Sequence, residues 1–211
     1  MKDVTTKLSY GLYIVTTWVD GKPTGCIANC AMQITAIPAS FAISINHDNF
    51  TAECIRKTGK FAICILAEDS DPSLIGAFGF KSGRDTDKFA NVGYTVESRL
   101  PIINDSCGFI ACDVINTMES ETHTVFLGAQ VAAEQYGDRK PMTYDYYHNV
   151  IKGKSPETAP TYRPETADSA QNAPRKFKCE ICGFVYEGDE LPEDYVCPIC
   201  GVGPEHFTEI K

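Results

Sequence analysis

The sequence predicts a mainly β protein: an antiparallel barrel with one or two helices covering an end, followed by a small metal-held module. Three observations predict it. Up to about residue 134, runs rich in β-branched and aromatic residues alternate with turn signals, and only two short stretches carry a helical pattern. Residues 152–176 are then rich in Pro, Thr, Ser, Ala and Glu and poor in large apolar side chains, the composition of a linker. Beyond them, 177–211 carries two Cys-x-x-Cys pairs. The chain therefore divides into a domain at 1–151, a linker at 152–176 and a module at 177–211.

Residues 8–19 read as a strand, and Asp20-Gly21 is a hairpin turn signal. Residues 24–36 return as one strand, broken by Pro38, and 40–46 alternate cleanly between polar and apolar. The period then changes: the stretch from Asn49 starts a helix, with Asn49 as its N-cap. Residues 61–66 are another strand, and 72–80 a short helix. A polar loop at 81–88 holds Lys81, Arg84 and Lys88. Two long strands at 107–118 and 122–134 follow, and 141–151 close the domain. The pattern suits a barrel.

In the module, Cys179, Cys182, Cys197 and Cys200 form two turns, each followed by glycine. Such a turn aims two thiolates at one point, and the glycine lets the chain curl so that N–H groups face the sulfurs. Two of them make a tetrahedral S4 cage for Zn²⁺ or a single iron. Spacing alone favours zinc. Phe177, Phe184, Tyr186, Tyr195 and Phe207 shift the reading to iron, because an apolar shell with N–H···S bonds tunes a redox potential. The other six cysteines (Cys26, Cys30, Cys54, Cys64, Cys107, Cys112) show no paired metal spacing and read as reduced and buried.

Composition excludes several classes. A net charge of -9 argues against nucleic acid or an anionic membrane as partner. Residues 175–211 hold four basic and eight acidic side chains, an acidic face suited to a basic docking site. The N-terminus has no apolar signal region, and no run approaches 18 apolar residues, so a cytoplasmic protein without a membrane span is expected.

The Cys179–Tyr186 and Tyr195–Gly201 stretches resemble rubredoxin, with the shortened loop of modules fused to larger redox proteins. That resemblance implies one iron, which zinc can replace. In the first domain, residues 25–33, 44–51, 82–89 and 123–128 resemble, in order and spacing, the flavin reductase-like, FMN-binding split-barrel proteins. On residues alone, Asn49 and Thr51 are either a phosphate site at a helix start or an ordinary cap, and the basic loop either a ligand contact or a solvated loop. The resemblance implies that Asn29, Cys30, Ala31, Met32 and Gln33 run along the FMN ring. It implies that Asn46, His47, Asn49 and Thr51 hold the phosphate end, and that Ser82, Arg84 and above all Lys88 add to it. His123 falls near the nicotinamide side, although Ser120-Glu121-Thr122 replaces the Gly-Asp that precedes this histidine in many relatives. A homodimer with FMN near its interface is implied as well.

The fusion as a whole resembles the high-molecular-weight rubredoxins of anaerobic bacteria, which implies electron flow from NAD(P)H through FMN and iron to a flavodiiron protein reducing O2 or NO. Two other readings stay open at this point. One is a flavin reductase supplying free reduced FMN, its tail a structural zinc ribbon. The other is a non-catalytic FMN- or heme-binding electron carrier. Nothing in the sequence distinguishes NADH from NADPH.

Overall fold

A computed structural model of the chain describes residues 4–151, 153, 159, 175–188 and 190–210. Most of the expected linker at 152–176 lies outside the described residues. Strand β1 (Tyr13–Val19) turns at Asp20-Gly21 into β2 (Lys22–Ala28). Val19 pairs with Lys22, so the loop has two residues, and both adopt positive φ (47° and 78°), as the twist of a tight hairpin requires. The strand expected over 8–19 starts only at Tyr13, preceded by a 3-10 turn at Val4–Lys7. The single strand expected over 24–36 is two. β2 ends at Ala28, and β3 (Ala31–Ala36) restarts after Asn29-Cys30.

β4 (Ala39–Asn46) leads into helix α1 (Phe50–Thr58), then β5 (Lys60–Ile65) and helix α2 (Ser73–Gly79). A short hairpin, β6 (Tyr94–Glu97) and β7 (Leu100–Ile103), was not foreseen. The long strands are β8 (Gly108–Glu119) and β9 (His123–Gln135), followed by helix α3 (Tyr144–Asn149). The module adds β10 (Lys176–Cys179), β11 (Val185–Glu187) and β12 (Phe207–Ile210).

Seven strands form one antiparallel sheet in the order β2-β1-β5-β8-β9-β4-β3. It curls into a barrel: Cys26 and Ala28 from one end of that order share a core with Ile43 and Ile45 from the other. Ala52 and Ile55 of α1 plug the same core. Alternation along each strand sends neighbours to opposite sides. Val15, Phe61, Ile63 and Cys112 face the barrel interior, while Ile14, Ala62, Cys64 and Ala111 join a second core. That second core holds Leu74, Ile75 and Phe78 of α2, the β7 residues Leu100, Ile102 and Ile103, and Tyr147 of α3. It also takes in Cys179, Cys182, Phe184, Cys197 and Ile199, so the metal module packs on the barrel's α2–α3 side. Because β1 and β5 are buried on both faces, they read as continuous apolar runs.

Candidate active site and metal centre

The first site is built where β4 hands over to α1. Asn46 Oδ1 accepts from Asp48 N–H at 2.9 Å, and Asn49 Oδ1 caps Thr51 N–H at 3.0 Å. These local bonds wind the 46–51 turn, and Asn49 takes up the Thr51 and Ala52 N–H groups at the start of α1, the end of a helix that favours an anion. The other end of α1 closes on Gly59 at φ 65°, a left-handed cap.

Beneath this helix start lies β2. The Cys26 thiol bonds with the Thr51 and Asn49 side chains; burial pushes its pKa up, and the neighbouring Lys88 pulls it down. Lys88 is only 6% exposed. Its Nζ donates to Gly25 O at 2.8 Å and to Phe78 O at 3.3 Å, and desolvation holds its pKa below the ordinary lysine value. An ammonium has three donors, so one is left for an anion. Thr24, two residues before Cys26, carries a buried Oγ1 that finds no hydrogen-bond partner in the described structure. A Cβ on Gly83 would come within 2.5 Å of that oxygen and 3.2 Å of the Phe50 ring, so the 82–84 loop closes directly over Thr24 and the start of α1. A buried orphan hydroxyl beside a buried lysine and a helix start fits a phosphate-bearing ligand.

Other expected residues border this cradle. Ser82 Oγ accepts from Arg84 N–H at 3.2 Å. The Arg84 guanidinium pairs with Glu53 at 2.7 Å and stacks 4.6 Å over Phe50, so it braces the loop on α1. Asn46 pairs in register with His123 of β9. His47 Nε2 lies 2.9 Å from Glu119, and the Thr122 hydroxyl lies 2.8 Å from His123 Nδ1. His123 thus sits one strand over from the helix start. Asn29 is buried and Cys30 half-buried at the β2–β3 connection, where Cys30 O accepts from Ser44 N–H at 3.0 Å. Ala31, Met32 and Gln33 pair with Ile43, Ala42 and Phe41, further along β4 from the cradle, with Met32 and Gln33 exposed. Sequence reasoning missed Thr24 and Phe50. The period-2 relation of Thr24 to Cys26 was available, but which face of β2 met α1 was not.

The second site is the cage. The four sulfurs lie within 4.8 Å of one another, with Cys179–Cys200 at 3.6 Å and Cys182–Cys197 at 3.4 Å. Tetrahedral metal–sulfur bonds of about 2.3 Å imply edges of about 3.8 Å, so small adjustments admit a metal. The two turns are near copies. Gly183 N–H donates to Cys179 O and Gly201 N–H to Cys197 O, both at 2.9 Å, with the glycines at φ 76° and 71°. Backbone N–H groups point at the sulfurs: Phe184 at Cys182, Cys200 and Ile199 at Cys197, Val202 at Cys200. The Cys182 thiol, donating to Cys197, and the Cys200 and Ile199 N–H groups draw the Cys197 pKa down, while Cys182 and Cys200 are pushed up. Tyr186 packs on Tyr195 at 4.7 Å and Tyr195 edge-on to Phe207 at 5.4 Å, giving the expected aromatic shell. The other six cysteines are free thiols; Cys26, Cys54, Cys64 and Cys112 are buried as expected, whereas Cys30 at the β2–β3 connection and Cys107 just before β8 are only half-buried.

Comparison with known proteins gives a family for each part of the chain. Residues 5–153 match the flavin reductase like domain, and residues 177–208 the rubrerythrin, rubredoxin-like domain. A high molecular weight rubredoxin from Moorella thermoacetica is 40% identical over 96% of each chain. A ferric-chelate reductase (NAD(P)H) from Archaeoglobus fulgidus is 36% identical over 74% of this chain and 94% of its own. Among solved structures, a flavin reductase from Haemophilus somnus superposes with a TM-score of 0.62 at 21% identity, covering 68% of this chain and 91% of its own. No helix among the described residues is long and apolar enough to cross a membrane.

Proposed function

The chain belongs to the flavin reductase like family and carries a rubredoxin-like domain behind it, and from that premise we propose an NAD(P)H-dependent oxidoreductase that passes electrons through FMN to an iron on the same chain. Bound in the first site, FMN supplies the exchange between two-electron nicotinamide chemistry and one-electron iron chemistry. The chain's residues do the rest. Asn49, Thr51 and the first N–H groups of α1 hold the phosphate, with Lys88 supplying its charge and Thr24 a hydroxyl. Asn46 and His47 flank the phosphate end, and His123, paired with Asn46 on the next strand, borders the edge where a nicotinamide approaches. Cys179, Cys182, Cys197 and Cys200 hold the iron, and the N–H groups at their sulfurs set its potential.

One observation carries this reading: a single chain holds both sites, a buried orphan hydroxyl and a buried lysine at one and four converging sulfurs at the other. The external acceptor is a protein with a basic docking face, of the flavodiiron class, and the enzyme works in the cytoplasm as a homodimer. An anaerobic visible spectrum followed by NADH titration tests the relay. Flavin and ferric-thiolate bands that both bleach support it. Flavin bands alone, with stoichiometric zinc in native material, would replace it with a reductase releasing reduced FMN.

A further inference from the structure

Helix α2 has a glycine in its interior, Gly76, where helix propensity alone favours alanine. Its surroundings explain the choice. A Cβ at Gly76 would lie 2.9 Å from Cys200 Cβ, 3.2 Å from Cys200 Cα and 3.3 Å from Ile199 O. The Cys197–Cys200 turn therefore rests on the backbone of α2. Leu74, Ile75 and Phe78 of α2 and Tyr147 of α3 share one apolar core with Cys179, Cys182, Cys197 and Ile199, and Ile199 is 1% exposed. Two residues on from Gly76, the Phe78 carbonyl accepts from Lys88 Nζ at 3.3 Å, and the Phe78 ring packs 3.4 Å from where a Cβ on Gly25 would stand. One short helix thus touches the metal cage with one residue and the phosphate cradle with another.

We propose that α2 is a docking pad that seats the metal module within electron-transfer reach of the flavin of the same chain, and that Gly76 is the positioning residue that sets the gap. The inference rests on the relay proposed above. In the docked state one electron leaves the reduced flavin, and the ferric cage becomes ferrous. The cage returns to ferric by passing that electron to the external acceptor protein, so a second electron can follow from the two supplied by NAD(P)H. Electron transfer falls steeply with distance, so a residue that holds the cage at backbone contact controls the rate.

The test uses the full-length protein with both centres loaded, comparing wild type with Gly76→Leu, Gly76→Ala and, as control, Gly79→Ala. Gly79 lies in the same helix, and its added Cβ would make only an ordinary 3.4 Å contact with Ile27. Two readouts are taken: amide hydrogen exchange over residues 72–80 and 195–202, and anaerobic stopped-flow bleaching of each chromophore by NADH. Gly76→Leu should lose exchange protection in both segments and keep the wild-type flavin bleaching rate. Its metal bleaching should slow by roughly tenfold or more, with Gly76→Ala intermediate and Gly79→Ala unchanged. If a loaded Gly76→Leu or Gly76→Ala variant keeps both its protection and its metal bleaching rate, the docking pad is overturned while the relay survives. If Gly76→Leu does not fold, the Gly76→Ala comparison decides alone. A wild-type protein whose flavin bleaches but whose metal never does overturns the relay, and the docking role with it.

Discussion

Among the described residues Lys88 has no carboxylate partner; it is buried, held by two carbonyls and balanced against the Cys26 thiol. Burying an ammonium this way is costly unless something anionic shares the site, which the phosphate proposed above would supply. Lys88→Met should weaken FMN binding by about 1.5–3 kcal/mol, the worth of a hydrogen bond to a charged group, read by fluorescence titration of the apoprotein. A pH dependence follows. Because folding depresses the pKa of Lys88, the unfolded chain binds more protons, so stability at this position is lowest at neutral pH and rises as pH climbs toward the lysine range near about 10.4. The raised pKa of Cys26 acts with the opposite sign, and because Lys88 pulls it down, Lys88→Met raises it further and moves the difference between the two proteins the same way. In urea titrations of the FMN-free proteins from pH 7 to 10, the stability difference should move in favour of wild type over Lys88→Met. A flat difference would mean that Lys88 titrates as an exposed lysine. At this scale the site was partly legible. The cap Asn49 and the Thr51 N–H it holds follow a local rule, and Lys88 stood out in an acidic chain. Thr24 was hidden because its role depends on which face of β2 lies under α1.

The elements differ in what holds them. α1 is fixed by its own caps and by Ala52 and Ile55 in the barrel core, so it persists without ligand. The module is different. Its three strands of three or four residues surround a few aromatic rings, and cores of this size rarely supply more than about 3–5 kcal/mol. A structural four-ligand metal supplies about 10–16 kcal/mol in zinc-finger peptides. The metal therefore decides whether the module folds. Stripping it with acid and a chelator, then returning to neutral pH, should erase amide protection in β10–β12 while leaving β1–β9 protected. Retained protection in β10–β12 would show that contact with α2 suffices to fold the module. The same contrast explains which elements were readable. The cage was legible because metal geometry demands four cysteines at fixed spacing. The β2–β3 break at Asn29-Cys30 was not, because apolar and small residues run through it without a turn signal. β6 and β7 are four residues each, separated by Ser98 and Arg99 at positive φ (49° and 63°), positions where no glycine marks the turn.

At the scale of the molecule, the barrel leaves parts of two strands open, β8 and the edge strand β3. The far half of β8 is exposed at five successive residues, and β3, the edge of the sheet, at five of its six. A strand covered on one face alternates between buried and exposed, so continuous exposure means that both faces lack cover. Yet these segments carry Met32, Ile34, Ile115 and Met118, each about half exposed or more. An open sheet edge beside exposed apolar side chains is a surface that soluble proteins normally cover. A second copy of the chain is the partner that the homodimer reading requires, and it would bring cover to β3, whose residues Ala31–Gln33 were expected along the FMN ring. The open face and the ligand site then become one assembly, which a single-chain sequence pattern cannot express, because exposed methionines on a strand read the same whether solvent or a partner lies above them. Ile115→Glu combined with Met118→Glu should convert a dimer into a monomer in sedimentation velocity and weaken FMN binding together, while the ferric-thiolate absorption of the module stays at full occupancy. A wild-type chain that sediments as a monomer at micromolar concentration would sink the dimer. Dissociation with unchanged FMN affinity would keep the dimer and move the flavin site wholly inside one chain.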